Sequence, residues 1–154
     1  MTPDHVIGPG CVTFRRLNPI FTQPYQAGIF HDDQQIGLIE QPGTEVDLIL
    51  DTHHYRVYGR RFDASMALRD EHGTSLAELD VATVTLTYAG RHYPIIKAAL
   101  ANWRTRLQDD QGNDLIRLLV GENRTDLGGL DILRPIDLGL LLAIVAFGTA
   151  GLPS

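Results

Sequence analysis

Leu68-Arg-Asp-Glu-His-Gly-Thr-Ser-Leu-Ala-Glu-Leu79 and Leu107-Gln-Asp-Asp-Gln-Gly-Asn-Asp-Leu-Ile-Arg-Leu118 share one frame: Leu-x-Asp-acid-x-Gly-x-x-Leu-apolar-x-Leu. A looser third copy, Phe30-His-Asp-Asp-Gln-Gln-Ile-Gly-Leu-Ile39, keeps Asp32, Asp33, Gln34, Leu38 and Ile39 in the same register. Asp32, Asp70 and Asp109 stand 38 and 39 residues apart. A near-constant period carrying the same turn chemistry is the mark of an internal repeat. Each copy reads as a β-hairpin. Asp at the first turn position bonds to backbone N–H groups, and Gly three residues later supplies a positive φ. That combination suits a type I turn ending in a bulge. The first copy has Gln35 where the others have Gly73 and Gly112, so its turn must differ or be strained.

Working outward, further strands fill the gaps. Val84-Thr-Leu-Thr-Tyr88 alternates like a half-buried strand, Ala89-Gly90 reads as a turn, and Arg91 to Lys97 returns. Val46 to Leu50 leads to a turn near Asp51-Thr-His-His54, and Tyr55 to Arg60 returns, with Tyr55 and Val57 on one face and Arg56 and Tyr58 on the other. Trp103, Thr105 and Leu107 alternate with Asn102, Arg104 and Arg106. Three units, at about 12–41, 46–80 and 84–120, give about twelve strands. Pro19, Pro24 and Gly28 make the first unit the least regular. The polar, glycine-rich stretch 121–129 reads as a loop.

Pro135 and Asp137 suit a helix start, and the spacing predicts a helix over about 135–148. From Leu138 to Phe147 it is apolar on every face, so it has to be enclosed. Leu138, Leu141, Leu142, Val145 and Phe147 are its expected core residues. The uncharged run Leu138 to Leu152 is 15 residues long. As a helix it spans about 22 Å, short of the roughly 30 Å of a bilayer core. A helix buried in protein is therefore the primary reading, and a tail anchor the alternative. A closed sheet of many strands provides the enclosure and also removes exposed edges. The expected fold is all-β: a closed antiparallel barrel of about twelve strands around a hydrophobic C-terminal helix, in one domain.

Composition sets outer limits. The 154 residues, 44% hydrophobic and 21% charged, suit one globular domain. A net charge of −6, with Lys97 the only lysine, excludes a generally basic surface for nucleic acid. The single Cys11 permits no intramolecular disulfide. No basic-then-apolar leader is visible at the N-terminus, and a cytoplasmic location, peripheral to a membrane if it contacts one, is the expectation. Enzyme signals are poor. Ser65, Ser75 and Ser154 sit in no nucleophile elbow. Gly8-Pro9-Gly10 is a turn, since proline lacks the N–H a phosphate cradle uses. His53-His54 has no His-Glu-x-x-His context.

Asp70-Glu-His-Gly73, Asp109-Asp-Gln-Gly112 and Arg134-Pro-Ile-Asp-Leu-Gly-Leu-Leu-Leu-Ala-Ile-Val-Ala-Phe147, in that order, resemble the tubby C-terminal-like superfamily, in particular its phospholipid scramblase and LURP-one-related group. The last stretch is similar to that group's Phe-Pro-x-Asp-Leu lead-in, with Pro135, Asp137 and Leu138 matching and Arg134 in place of the aromatic. The resemblance runs from about Val12 to Phe147. It implies a twelve-stranded barrel around its C-terminal helix, and a non-catalytic domain that associates with membrane phospholipid or serves as a protein-binding scaffold. The group's calcium-linked acidic segment has only Asp126 and Asp131 as counterparts here, without a ligand spacing. Tubby proteins hold phosphoinositides with clustered Lys and Arg, whereas this chain has one lysine and an acidic balance.

Two candidate sites follow. Arg15, Arg16, Arg60 and Arg61 are the best positive patches and the candidate contacts for anionic phospholipid. If the strands run up and down, the turns fall on one rim, which would gather Asp32, Asp33, Asp51, His53, His54, Asp70, Glu71, His72, His92, Asp109 and Asp110. From these, Asp32, Asp70, His72 and Asp109 are the candidate ligands for a divalent cation, calcium or zinc, and the rim could equally meet a cationic partner. A small metal-dependent hydrolase using the His/Asp rim is the alternative function.

Overall fold

The computed structural model describes residues 2–19, 25–41, 45–59, 64–97, 103–119 and 129–151. A short strand β1 (Val6–Ile7) is followed by β2 (Gly10–Arg16), β3 (Tyr25–His31), β4 (Gln34–Gln41), β5 (Asp47–Leu50), β6 (His53–Tyr58) and β7 (Ser65–Asp70). Then come β8 (Ser75–Asp80), β9 (Thr85–Tyr88), β10 (Arg91–Lys97), β11 (Trp103–Gln108), β12 (Asp114–Leu119), β13 (Gly129–Ile132), β14 (Ile136–Asp137) and the helix α1 (Leu138–Gly151). Strands β2 to β13 form a closed antiparallel barrel in sequence order, sealed where β13 meets β2 through Leu130–Val12 and Ile132–Gly10. The twelve-stranded barrel and its C-terminal helix are as the sequence predicts. Strand β13 is new: the sequence reading has a loop ending at 129 and passes over 130–132, yet Leu130 and Ile132 point into the core.

Alternation sets the inward face. Val12, Ile29, Ile39, Leu48, Leu50, Leu68, Leu79, Leu86, Leu107 and Ile116 are wholly buried, and most of them lie between polar or partly exposed strand neighbours, as period-two pleating demands. Against them packs α1, whose side chains from Leu138 to Phe147 are all buried, including the five core residues named above. Small residues let the walls come close; the Leu142 Cδ2 reaches within 3.9 Å of where a side chain at Gly37 of β4 would begin. The strand number follows from this filling. Eight strands enclose little more than their own side chains, whereas a helix with side chains is about 10–12 Å across, so a wider barrel is required.

The helix begins three residues later than the sequence suggests. Ile136 and Asp137 are extended because they pair with β1, Ile7 opposite Ile136 and Val6 opposite Asp137. The N-terminal segment then covers the start of the helix: the N–H of Leu138 donates to the His5 carbonyl and that of Gly139 to the Pro3 carbonyl, both at 2.7 Å. These bonds satisfy two of the four N–H groups that a helix start leaves open. Gly139 is required there, because a Cβ would lie 2.7 Å from the Tyr88 hydroxyl and 3.0 Å from the Pro3 Cβ. The tail-anchor alternative is set aside: the helix has 14 residues and fills the barrel, and among the described residues no helix is long and apolar enough to cross a membrane.

Two of the repeat hairpins turn alike. In both β7–β8 and β11–β12 the third turn residue after Asp is a glycine at φ 81°, Gly73 and Gly112, whose N–H donates to the carbonyl of Asp70 or Asp109. Each hairpin has the bulge that such a turn brings, between Leu68 and Arg69 and between Leu107 and Gln108. The first copy does differ. His31 pairs with Gln34 across a two-residue turn in which Asp32 and Asp33 take φ of 48° and 70°. Acidic side chains tolerate that conformation better than most, and Gln35 is left in the strand.

The helix is what makes the core. Cutting the chain before Arg134 removes side chains worth about 1.5–3 kcal/mol each when fully buried, against a net stability of about 5–15 kcal/mol. Such a truncation is expected to show no cooperative unfolding transition in urea, whereas Phe147→Ala keeps one, lowered by about 3–5 kcal/mol.

Candidate functional site

Because the strands run alternately up and down, every second connection lies at the same end of the barrel. The end that carries Asp32-Asp33, Asp51-Thr52, Glu71–Gly73, Ala89-Gly90 and Asp110–Gly112 also receives the start of α1 and the N-terminal segment. All six histidines of the chain lie at or within two residues of a turn at this end, or, for His5, in the segment across it. The rim predicted from the sequence is therefore one rim.

It is not one cluster. The turns bearing Asp32, Asp70 and Asp109 are four strands apart around a twelve-stranded ring. Each carboxylate is engaged locally. Asp70 Oδ1 accepts the N–H groups of His72 and Thr74 at 2.9 Å, and Asp109 Oδ1 those of Gln111 and Asn113 at 2.9 and 2.8 Å. Asp32 Oδ1 accepts the Cys11 N–H at 3.2 Å, and its Oδ2 lies 3.7 Å from His31 Nε2. The hydrogen bonds from the Asn113 backbone and side chain hold Asp109 below its usual carboxylate range, despite some desolvation. His72 faces Glu71 at 3.9 Å instead of an aspartate. Among the described residues no group of three or more His, Cys, Asp or Glu is placed to hold a metal ion. Asp32, Asp70, His72 and Asp109 thus do not fit a calcium or zinc site, and their carboxylates serve as turn caps and local pairs.

Glu71 joins two neighbouring hairpins. Its carboxylate accepts the His54 N–H at 3.2 Å and lies 3.8 Å from His53 Nδ1. Backbone N–H donors, its own and that of His54, hold it below the usual range, with His72 and His53 adding to the effect. Asp51 takes a positive φ in the two-residue turn beneath, so β6 starts at His53 and the turn is shorter than expected. His92 Nδ1 lies 3.0 Å from the Thr87 hydroxyl. Cys11 is exposed, and desolvation with the charges of Asp131 and Asp32 pushes its thiol up, away from the nucleophilic thiolate.

The arginines are likewise engaged. Arg15 pairs with Asp33 and stacks 4.4 Å over Phe30. Arg16 donates to the carbonyls of Asn18 and Pro19 and stacks 4.6 Å over Tyr25. The two point to opposite faces of β2, as strand neighbours do. Arg60 and Arg61 lie outside the described residues.

The strongest ionic site is one that the sequence reading passed over. Asp47, 3% exposed, receives Arg56 Nε at 2.7 Å and Nη2 at 3.1 Å, with His54 Nε2 at 3.4 Å. Arg56 Nη1 also lies 3.5 Å from Glu45. Burial alone would push the Asp47 carboxyl up, but Arg56 and His54 outweigh it and hold it below its ordinary 3.8. Register was the available signal: the two-residue turn that sets Leu50 opposite His53 sets Asp47 opposite Arg56.

No protein-family model matches the chain, and no curated protein or solved structure matches it.

A carboxyl with a depressed folded pKa contributes stability above its unfolded value and loses it as pH falls through the folded one. Asp47→Asn is therefore expected to be less stable than wild type at pH 7, with the gap narrowing below pH 3.8 in urea titrations. Arg56→Ala strands a buried charge and is expected to cost about 3 kcal/mol. Asp70→Ala and Asp109→Ala each remove a turn cap and are each expected to lower the urea midpoint. Being on separate hairpins, their losses are expected to add in the double variant.

Proposed function

We propose that the chain is a non-catalytic binding domain of tubby- and scramblase-like type, acting as a protein-binding scaffold through the outer surface of its barrel. One observation carries this reading: the space that a barrel could offer to a substrate is occupied by α1, buried from Leu138 to Phe147. A helix-filled barrel presents walls and rims. The outward strand positions carry Arg15, Arg56, Arg69, Glu78 and His92, which suits water and polar partners. The metal-dependent hydrolase alternative is left without a ligand set among the described residues.

Between phospholipid and protein as the partner, the contacts of Arg15 and Arg16 support protein. A polybasic lipid contact works through cations that face the headgroups, each worth about 1 kcal/mol near an anionic surface. Arg15 and Arg16 are instead held by Asp33, Phe30, Tyr25 and the 18–19 backbone. In co-sedimentation at low salt, the protein is expected to stay in solution with vesicles rich in phosphatidylserine as it does with phosphatidylcholine alone. Salt-sensitive binding to the anionic vesicles, lost in an Arg15→Ala/Arg16→Ala variant, would return phospholipid as the partner.

A further inference from the structure

The outer wall across β8, β9 and β10 holds a row of polar side chains that the reading above leaves unused. Glu78 lies directly opposite Thr87, and Thr87 directly opposite His92. Thr87 Oγ1 and His92 Nδ1 are 3.0 Å apart, and the Ser75 hydroxyl donates to Glu78 Oε1 at 3.4 Å. The row borders a groove of about 400 Å³, lined by Ser75, Leu76, Glu78, Thr87, Ala89 and Gly90 among others. The groove exists because the β9–β10 turn is Ala89-Gly90, which raises almost no side chain beside Leu76.

We propose that this groove takes the side chain of a lysine presented by a partner protein. The ligand's chemistry follows from the lining. Glu78 carries the one formal charge among those six residues. Among the described residues it has a hydrogen bond from Ser75 and no ion pair. An ammonium donates three hydrogen bonds, and the Glu78 carboxylate with the hydroxyls of Ser75 and Thr87 supplies acceptors for them. The Thr87 hydroxyl oxygen has two lone pairs, so at least one is left for the groove whichever group donates in its contact with His92. Leu76, half-buried, offers apolar surface to the four-carbon stem that lysine lays down beneath its charge. An anionic group would meet Glu78 with no cation in the lining to offset it. A phosphoethanolamine headgroup carries its phosphate next to its ammonium and is disfavoured for the same reason.

The assignment rests on the scaffold reading, and the test separates the two. Backbone amide NMR shifts of the full chain are followed during titration with acetyl-Gly-Lys-Gly-amide, with its Nζ-acetylated form, and with vesicles containing phosphatidylethanolamine. The lysine peptide is expected to shift Ser75 to Glu78 and Thr87 to Gly90. The acetylated peptide is expected to leave them in place. Glu78→Gln is expected to weaken the lysine titration about tenfold, the loss of one charge-assisted contact, and Thr87→Val to weaken it less. Unchanged thermal unfolding of both variants confirms that the fold is intact. No shift with the lysine peptide, an equal response to the acetylated peptide, or Glu78→Gln binding like wild type overturns the groove alone. Binding to the ethanolamine vesicles in place of the peptide overturns both the lysine assignment and the scaffold reading.

Discussion

A helix with no polar face cannot rest on the surface of anything in water. From Leu138 to Phe147 every side chain of α1 is apolar or absent, so no orientation on a sheet would cover it; the sheet has to go all the way round. That demand fixes the closure of β13 onto β2, the number of strands needed to make room, and the inward leucines and isoleucines that meet the helix. It also directs where function can lie. In many barrels the lumen is the binding site, whereas here the lumen is the hydrophobic core.

Enclosure leaves one weak point, the end where the helix enters. Its first N–H groups would be left without partners, and Asp137, the natural side chain to cap them, instead accepts a hydrogen bond from the Tyr88 hydroxyl. The carbonyls of Pro3 and His5 fill that place. Gly139 makes the approach feasible. The same end collects the short turns and the histidines, so a polar collar surrounds the covered entrance, with Asp and His serving mainly the geometry of the turns.

Much of this was legible in the residues because period and turn chemistry are local. Asp70 to Gly73 and Asp109 to Gly112 announce their hairpins, and Gln35 announces that the first one turns otherwise. The all-round apolar run announces an enclosed helix. What depended on distant pairing was not legible. Ile136-Asp137 looks like a helix start until β1 is placed beside it, and Gly129 looks like the end of a loop until β2 is available as a neighbour for Leu130 to Ile132. The candidate metal ligands were scattered for a related reason. A list of Asp and His at turns says which rim they share, but not that a third of the circumference separates them. Arg15 and Arg16 look available until Asp33, Phe30 and Tyr25 are found against them. The Asp47–Arg56 pair and the Glu78–Thr87–His92 row come from register across neighbouring strands, which the sequence carries only once the turn lengths are known.

The order of the chain has a consequence for how the molecule is made. Neighbouring strands pair with their sequence neighbours, so hairpins can form as they emerge from the ribosome. Yet the segment that fills the core follows all twelve barrel strands in the chain, and the residues that cover its entrance precede them. Until Phe147 is out, the growing sheet is a trough of inward leucines and isoleucines with nothing to bury them but each other or a chaperone. The joining of Pro3 and His5 to Gly139 and Leu138 can only be a late event. The sheet therefore stays unfilled until α1 has been made, so its vulnerability to misassembly is concentrated in the interval before the helix arrives.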